Sequence, residues 1–353
     1  IKVAYPIELF EPGNMPQILS SIAGNIFGMK AVKNLRLEDV SWPHGMIRSF
    51  KGPQFGIEGI RKILSVWDRP LTATVPKPKV GLSTEEYCDT AYKIWKSGID
   101  FVKNDENLTS QNFIKFYGTT EKMLKIRDKV ERETGEKKLY LANVSSETKE
   151  MIKRARFVRE CGGEIVMVDI LTVGWAGVQS LREECEDLGL AIYSHRAFHA
   201  SFSRNPKHGM SMLCVANIAR LIGTDAIHIG GMGKLVSPKD EIFILKKNLE
   251  ERIVEETNSL LAKDWNRIKP VFPISSGGLH PGIIPRLIKL LGKDIILQVG
   301  GGVIGHKMGI DGGGKAVRQA IDATLQNIPL KEYARKHKEL EVALKMWRYL
   351  TPI

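Results

Sequence analysis

The chain has 353 residues, 43% of them hydrophobic and 26% charged, which is ordinary for a globular protein with a sizeable core. A net charge of +12 suits an anionic substrate or nucleic acid, but the basic residues are spread over helices beside glutamates, which argues against a nucleic-acid partner. No apolar run or leader predicts a membrane span or signal peptide, and Cys88, Cys161, Cys185 and Cys214 lack metal-binding spacing, so we expect reduced thiols in a cytoplasmic protein.

The first fifty residues predict a small α+β unit unlike the rest of the chain. Met15–Ala23 has helical spacing, whereas Ile1–Tyr5, Ala31–Leu37 and Val40–Pro43 are typical of short strands and a turn. Prolines and glycines beyond residue 52 mark the expected boundary between this unit, residues 1–52, and a second domain, residues 53–353. Because the chain starts without methionine, we expect further residues before it.

From residue 70 onward, a short apolar run is followed by a polar loop and a longer helix, eight times in succession. The runs are continuously apolar, as in parallel strands covered by helices. Eight such units predict a closed (β/α)8 TIM barrel rather than an open sheet, with a charged amphipathic helix after residue 330 packed outside. The predicted strand and helix pairs are Leu71–Val75 and Thr84–Lys96; Ile99–Val102 and Lys122–Thr134; Lys138–Val144 and Thr148–Cys161; Glu164–Ile170 and Val178–Leu188; Leu190–Ser194 and Met210–Ile222; Ala226–Ile229 and Lys239–Leu261; Val271–Ile274 and Pro281–Leu291; Asp294–Val299 and Gly313–Leu325.

Each predicted strand runs into polar or glycine-rich sequence. In such barrels the chemistry lies at the carboxyl ends of the strands, so we expect these exits to converge on one mouth. In strand order they are Lys77 and Lys79; Lys103, Asp105 and Glu106; Asn143; Asp169; His195, Arg196 and His199; His228 and the loop to Lys234; Ser275–Gly278; and Gly300–Gly302.

The second exit, within Gly98–Asn107, combines an amine with two carboxylates. Asp105 and Glu106 would suit Mg²⁺, which prefers carboxylate oxygens. An ammonium cannot ligate a metal, so Lys103 must repel the ion, act as a base, or be modified so that it presents oxygen. The alternative is a solvated, charged loop.

Other exits suit anions. The glycine turns after the seventh and eighth strands occupy the phosphate-binding position of barrels, although glycine can also serve only to make a tight turn. Arg196 and His228 could hold a second anionic group. His195 could do the same, carry a proton or be structural, and its place in the run His-Arg-Ala-Phe-His at a strand exit favours function.

Two lysines complete the predicted site. Lys77, between two prolines, is a possible base if it lies near a cation, although most lysines are simply exposed. Lys234 ends the run Gly-Gly-Met-Gly-Lys, which suits a lid that closes over a ligand. Together these features predict Mg²⁺-assisted enolisation of a phosphorylated sugar.

At these residues the sequence resembles the large subunit of ribulose-1,5-bisphosphate carboxylase/oxygenase (Rubisco), and it looks most like the archaeal form III enzymes. The resemblance covers nearly the whole chain, and it makes residues 1–52 the C-terminal part of that family's α+β N-terminal domain. The segments that carry it are Gly24–Gly28, Lys77–Leu82, Gly98–Asn107, His195–Ala200, Ser276–His280 and Gly300–Gly302.

The resemblance implies that CO₂ carbamylates Lys103, whose new oxygen would bind Mg²⁺ together with Asp105 and Glu106. The carbamate is implied as the base that starts enolisation. By the same resemblance, Lys77 and His195 would serve later proton transfers. Lys234 would close over the site and stabilise the new carboxylate.

The resemblance also implies the binding residues and the partners. Ribulose-1,5-bisphosphate, CO₂ and O₂ would be the substrates of a homodimer, or an assembly of dimers, with shared active sites and no small subunit. The implied substrate-binding residues are Asn25 from the neighbouring subunit, Lys79, Arg196, His228, Lys234, Ser276, Gly277, Gly278, Gly300, Gly301 and Gly302.

Three departures from the family pattern are visible. The usual run His-x-Gly-Thr-x-x-Gly-Lys becomes His228-Ile-Gly-Gly-Met-Gly-Lys234, one residue shorter and without threonine, so lid geometry and CO₂/O₂ discrimination do not follow from the resemblance. Asn104 stands where aspartate is common. The first part of the family's chain, which supplies a Glu, a Thr and a Trp to the partner's site, has no counterpart in this sequence.

Three functions compete. The first is a carboxylase that forms two 3-phosphoglycerates, in archaeal AMP and nucleoside salvage rather than photosynthesis. The second is a Rubisco-like enolase or isomerase acting on a related phospho-sugar, whose members typically replace the lid lysine and several phosphate ligands. The third is a basic scaffold for nucleic acid, which leaves the strand exits unexplained. The presence of Lys234, Arg196, His228 and Ser276 favours the first.

Overall fold

Eight parallel strands close into a barrel in the computed structural model, which describes residues 1–231 and 239–347. Neighbours in the barrel are neighbours in the chain, and the eighth strand pairs with the first to close the ring. This confirms the predicted (β/α)8 architecture. The strands are β1 (Leu71–Thr74), β2 (Phe101–Lys103), β3 (Leu139–Asn143), β4 (Ile165–Asp169), β5 (Ala191–His195), β6 (Ala226–Gly230), β7 (Phe272–Ser276) and β8 (Ile296–Gln298).

A helix follows each strand and covers the outside of the barrel. The first begins with a capping box in which the Ser83 hydroxyl accepts from the Glu86 N–H and the Glu86 carboxylate accepts from the Ser83 N–H, so two orphan donors are satisfied. The helices are α1 (Thr84–Lys96), α2 (Phe116–Thr134), α3 (Thr148–Glu160), α4 (Trp175–Leu188), α5 (Met212–Ile222), α6 (Lys239–Glu250), α7 (Ile284–Leu291) and α8 (Gly309–Leu325).

Shorter elements connect and flank these units. The helices among them are Ile7–Leu9, Met15–Ile22, Asn25–Gly28, His44–Arg48, Gly56–Leu64, Ile170–Val173, His199–Ser203, Pro281–Ile283, Gly301–Ile304, Leu330–Tyr333, Ala334–Lys336 and Lys338–Trp347. The short strands are Arg36–Leu37, Gly209–Met210, Ile253–Val254 and Lys263–Asp264. The helix Lys338–Trp347 packs outside the barrel, as predicted, against α8.

Side chains alternate between the two faces of each strand. In β4, Ile165 and Met167 join the apolar cluster inside the barrel, whereas Val166 and Val168 pack outward against the helices. Because successive residues of a strand point to opposite faces, Asp169 continues the inward series. The other strands alternate in the same way, and this alternation decides which residues at the strand ends point into the barrel.

The helix Gly56–Leu64 closes the amino-terminal end of the barrel. Its Ile60 and Leu64 belong to the inner apolar cluster. Beside it, both guanidinium ends of Arg69 donate to the carboxylate of Asp100 at 2.7 Å, and this pair is buried. Burial raises the pKa of Asp100, but the Arg69 charge outweighs it and holds the pKa below its usual value.

Three predicted elements differ from the structure. Ile1–Tyr5 is not a strand, because no described strand pairs with it, and only Arg36–Leu37 of the next predicted strand forms a ladder, with Gly209–Met210. The predicted helix Lys239–Leu261 ends at Glu250, where Arg220 donates to the carbonyls of Asn248 and Glu251 and so satisfies its last acceptors.

No helix in residues 1–231 and 239–347 is long and apolar enough to cross a membrane. All four cysteines are free thiols, and burial raises the pKa of each.

Replacing Asp100 by Ala is expected to lower the free energy of unfolding by about 3–5 kcal/mol, because Arg69 would stay buried without its counter-charge. Urea denaturation followed by circular dichroism measures this. The matched control is Asp89→Ala, which removes the exposed partner of Lys93 and should leave stability unchanged within error. Equal losses in the two variants would contradict the interpretation.

Candidate active site

The mouth of the barrel is lined by one polar layer. In seven of the eight strands, a polar side chain follows the apolar residues of the inward face, toward the carboxyl end, where barrels place their chemistry. These residues are Lys103, Asn143, Asp169, His195, His228, Ser276 and Gln298.

Lys103 is buried at the end of β2 with 3% of its surface exposed. Its ammonium donates to the Asn104 carbonyl at 2.8 Å. Burial lowers the pKa of Lys103 below its usual value, although the negative charges of Asp105, Glu106 and Asp169 oppose the shift. Burial therefore makes this lysine easier to deprotonate than an exposed one, and an unprotonated nitrogen is the condition for reaction there.

Asp105 and Glu106 follow Lys103 directly. The ammonium of Lys77, at the exit of β1, forms an ion pair with Asp105. Although burial raises the pKa of Asp105, its hydrogen bonds with Glu106 and Lys77 hold it at about 2, so this carboxylate is ionised at neutral pH.

Asn104 points to the opposite side and holds the loop in place. Its amide oxygen accepts from the Tyr140 hydroxyl at 3.0 Å and from the Asn143 N–H at 2.9 Å. Its amide nitrogen donates to the Tyr87 hydroxyl at 3.0 Å, leaving that hydroxyl to donate to the Lys103 carbonyl. An aspartate could not donate in this way, so the asparagine here has a structural role.

A buried network joins β3, β4 and β5. The Asn143 amide donates to the Glu106 carbonyl at 2.9 Å and to the Asp169 carboxylate at 3.2 Å. The second Asp169 oxygen lies 3.3 Å from His195 Nδ1 and has no hydrogen-bond partner among the described residues. His195 Nε2 lies 4.0 Å from Glu106. The network thus brings His195 to the predicted metal ligands.

His228 is buried between two hydroxyls. Its Nδ1 lies 2.9 Å from the Ser276 hydroxyl and its Nε2 lies 2.9 Å from the Tyr193 hydroxyl. Burial, and then the charges of His195 and Lys103, lower the pKa of His228 well below its usual value. The ring is therefore neutral at physiological pH and can offer one donor and one acceptor.

Arg196 supplies the positive charge on this side of the mouth. Burial lowers the pKa of its guanidinium to about 10, so it stays charged at neutral pH. The neighbouring His199 donates through Nδ1 to the Arg196 carbonyl at 2.9 Å. Burial and the Arg196 charge lower the pKa of His199 to about 4, which leaves it neutral.

The glycine turns of β6, β7 and β8 interlock. A Cβ at Gly231 would lie 2.4 Å from the Ser276 carbonyl oxygen, and one at Gly302 would lie 2.7 Å from the Leu279 carbonyl oxygen. Gly277 and Gly278 have positive φ, a conformation that other residues rarely adopt. Around Gly301, by contrast, a Cβ would meet nothing within 4 Å, so this turn is open to a ligand.

Three predicted site residues lie apart from this cluster or cannot be described. Asn25 is exposed and lines a cleft of about 660 Å³ together with Trp175 and Phe202, which contains none of the mouth's polar residues. Lys79 is exposed beyond β1. Lys234 lies outside the described residues.

Sequence reasoning missed two inward-facing residues. Tyr193 looked like an ordinary strand residue, yet it bonds His228, and Gln298 was hidden in an apolar run, with a buried amide oxygen that has no partner in the described ranges. Counting every second residue from Ala191 and Ile296 would have found both.

The donor set fits a hard cation only in part. No group of three or more His, Cys, Asp or Glu side chains in residues 1–231 and 239–347 is arranged to hold a metal ion. Asp105 and Glu106 supply two carboxylates, and the unpartnered Asp169 oxygen faces the same space. A third oxygen ligand from Lys103 would require its modification, so the residues fit Mg²⁺ on that condition.

Comparisons with known proteins agree with this geometry. The family model described as ribulose bisphosphate carboxylase large chain, catalytic domain, matches residues 56–347, and the corresponding N-terminal domain model matches residues 1–46. The ribulose bisphosphate carboxylase of Pyrococcus abyssi is 51% identical over 99% of this chain and 80% of its own length. That of Methanosarcina mazei is 50% identical over 98% of this chain and 82% of its own.

Solved structures give the same result. A dimeric archaeal Rubisco from Hyperthermus butylicus superposes with a TM-score of 0.95 at 49% identity, covering 98% of this chain and 81% of that one. An octameric Rubisco from Pyrococcus horikoshii superposes with a TM-score of 0.91 at 49% identity, covering 97% of this chain and 78% of that one. The chain belongs to the ribulose bisphosphate carboxylase large-chain family.

Proposed function

We propose that this protein is a ribulose-1,5-bisphosphate carboxylase and oxygenase that converts its bisphosphate substrate and CO₂ into two 3-phosphoglycerates. The family is one of carbon–carbon lyases. The observation that carries the proposal is the buried Lys103 on the inner face of β2, directly before two carboxylates, at the mouth of a barrel of this family. Together these features are the arrangement that the sequence predicted for enolisation.

Lys103, Asp105 and Glu106 would hold Mg²⁺, with CO₂ bound to Lys103 as a carbamate. When bound, these groups supply a base and a positive charge that eases removal of a proton beside the substrate carbonyl. The lowered pKa of Lys103 supports the proposal, because only an unprotonated amine combines with CO₂.

Lys77 and His195 would move protons at the substrate. In the structure Lys77 contacts the Asp105 carboxylate, so a cation bound there would compete with it and free the ammonium for the substrate. His195, beside Asp169 and Glu106, lies where substrate hydroxyls would approach the same carboxylates.

The substrate's two phosphates would bind on different walls. Arg196, His228 and Ser276 would hold one phosphate and nearby hydroxyls, with the charge on Arg196 and neutral donors on the other two. The glycine turns of β7 and β8, with Gly277, Gly278, Gly300, Gly301 and Gly302, would hold the other through backbone N–H groups, with open space beside Gly301. Lys79 and Lys234 would add positive charge.

The active unit would be a homodimer or an assembly of dimers without a small subunit, in which Asn25 serves the neighbouring subunit's site. Its exposure, on a cleft that none of the mouth's polar residues lines, supports this. We further propose that the boundary between the two domains lies near residue 52. We also propose a role in AMP and nucleoside salvage, which the archaeal sources of the relatives support.

A second candidate is an enolase or isomerase that acts on a related phospho-sugar without fixing CO₂. The same enolisation machinery would serve it, and the shortened loop before Lys234 favours it. The presence of Lys234, Arg196, His228 and Ser276 favours the carboxylase.

Replacing Lys103 by Ala is expected to lower carboxylation by at least about a thousandfold, because the variant loses a metal ligand and the base. The assay incubates protein with Mg²⁺, labelled bicarbonate and ribulose bisphosphate and counts labelled 3-phosphoglycerate. Lys125→Ala, on the exposed face of α2, is the control and should keep full activity. Normal carbon fixation by the Lys103 variant would refute the proposed chemistry.

Replacing Lys234 by Ala should reduce carboxylation by about 10²–10³-fold, since a charge that stabilises the new carboxylate is lost. Exchange of the substrate's proton with solvent, followed by NMR in D₂O, should continue, because enolisation precedes CO₂ addition. The Lys103 variant should lose both reactions. Wild-type protein that exchanges the proton but fixes no carbon would instead support the enolase alternative.

Replacing Gly301 by Ala is expected to weaken binding of inorganic phosphate about tenfold, measured by calorimetry, while stability stays within about 0.5 kcal/mol, because the added methyl meets only the ligand. Gly302→Ala is the matched comparison. Its methyl would collide with Leu279 and His280, and it should cost about 1–3 kcal/mol of stability. Unchanged phosphate affinity in Gly301→Ala would argue against phosphate at this turn.

A further inference from the structure

The helix Lys338–Trp347 is fastened to the outside of the barrel by hydrogen bonds and by buried apolar side chains. The Gln319 amide of α8 donates to the Glu339 carboxylate at 2.9 Å and accepts from the Leu340 N–H at 3.0 Å. Leu340 and Ala343 are buried in the main core. The helix therefore has a fixed position relative to the barrel, and so does its last described residue, Trp347.

Trp347 contacts two histidines that come from different strand exits. Its ring lies 5.9 Å from the His280 ring in a stacked arrangement and 6.0 Å from the His306 ring in a tilted one. His280 follows the glycine turn of β7 by two residues, and His306 follows that of β8 by four. One indole thus touches the continuation of both turns.

Each histidine also fixes the backbone beyond its turn. His280 Nδ1 accepts from the Gly282 N–H at 3.2 Å. His306 Nδ1 accepts from the Met308 N–H at 3.1 Å, and its Nε2 donates to the Glu339 carbonyl at 3.0 Å. The imidazoles of His280 and His306 are therefore fixed relative to the backbone that follows each turn. A displacement of the Trp347 indole would move that backbone with them.

The two turns have little freedom to move apart independently. Gly302 approaches the backbone of the other turn so closely that a Cβ there would lie 2.7 Å from the Leu279 carbonyl oxygen and 2.9 Å from the His280 Cα. The turns touch directly on one side and through Trp347 on the other. Because phosphate would be gripped by N–H groups from both turns, its affinity depends on their separation.

The geometry points to Trp347 as a positioning residue that sets the spacing of the two glycine turns and thereby the affinity for the phosphate group between them. This inference deepens the proposed function and rests on its assignment of phosphate to these turns. Trp347 itself touches no substrate. A purely structural role would instead make it one more contact that holds the C-terminal helix.

The test compares Trp347→Ala with Trp347→Phe, which keeps an aromatic ring against both histidines. Trp67→Ala is the control, since Trp67 is also solvent-accessible but precedes β1 at the opposite end of the barrel. We expect Trp347→Ala to raise the Kd for inorganic phosphate and the KM for ribulose bisphosphate about tenfold, with kcat within about twofold. Trp347→Phe should restore both, and Trp67→Ala should change neither.

Fluorescence supplies a second readout that does not depend on turnover. The spectrum of Trp347, obtained as wild type minus Trp347→Phe, should shift when inorganic phosphate saturates the protein. A Kd and KM within twofold of wild type in Trp347→Ala, or a Trp347 spectrum that ignores bound phosphate, would overturn the inference. If Trp347→Ala does not fold, the fluorescence titration decides alone.

Failure of the proposed function is distinguishable from failure of this inference. Phosphate binding with a Trp347 signal but no carboxylation would refute the carboxylase and leave the positioning role standing. If the protein carboxylates ribulose bisphosphate but Trp347→Ala alters neither KM nor Kd, the carboxylase stands and the positioning role of Trp347 is refuted.

Discussion

A strand in a closed barrel can send only every second side chain inward, and the rest of this molecule depends on that constraint. Two inward layers are apolar and are closed from below by Ile60 and Leu64. The polar layer lies at the carboxyl ends of the strands. Its side chains contact one another, and no further layer of strand residues covers them. Lys103 enters the site because it lies two residues beyond Phe101, and Asn104 is excluded from it for the same reason.

Much of this could be predicted from sequence, since the information lies in local patterns. Continuous apolar runs located all eight strands to within a few residues. The polar residues that follow these runs include most of those that line the barrel mouth. The failures concern tertiary partners. Ile1–Tyr5 has the composition of a strand, but no described strand pairs with it, and α6 stops where Arg220, thirty residues before Glu250, donates to the Asn248 and Glu251 carbonyls. Alternation from Ala191 places Tyr193 inside the barrel, but its hydrogen bond with His228 is visible only in the structure.

The electrostatics of the mouth could not be predicted either, because burial decides them. Arg196 remains charged, whereas His199 and His228 are driven neutral in the same region. One cation flanked by neutral rings can attract a phosphate and still offer it hydrogen-bond donors. The interlocked glycines add rigidity, since each lets one turn approach the backbone of another where any side chain would intervene.

The burial of Lys103 has a consequence for how the proposed site would be loaded. Converting an ammonium into a carbamate changes the local charge by minus two, and arrival of a dication changes it by plus two. In a pocket where only 3% of the lysine meets solvent, either change alone would leave two uncompensated charges in a poorly polarisable medium. In the proposed site, CO₂ and the metal would therefore be thermodynamically coupled ligands, the binding of each raising the affinity for the other, and a monovalent ion would not balance the charge of the carbamate.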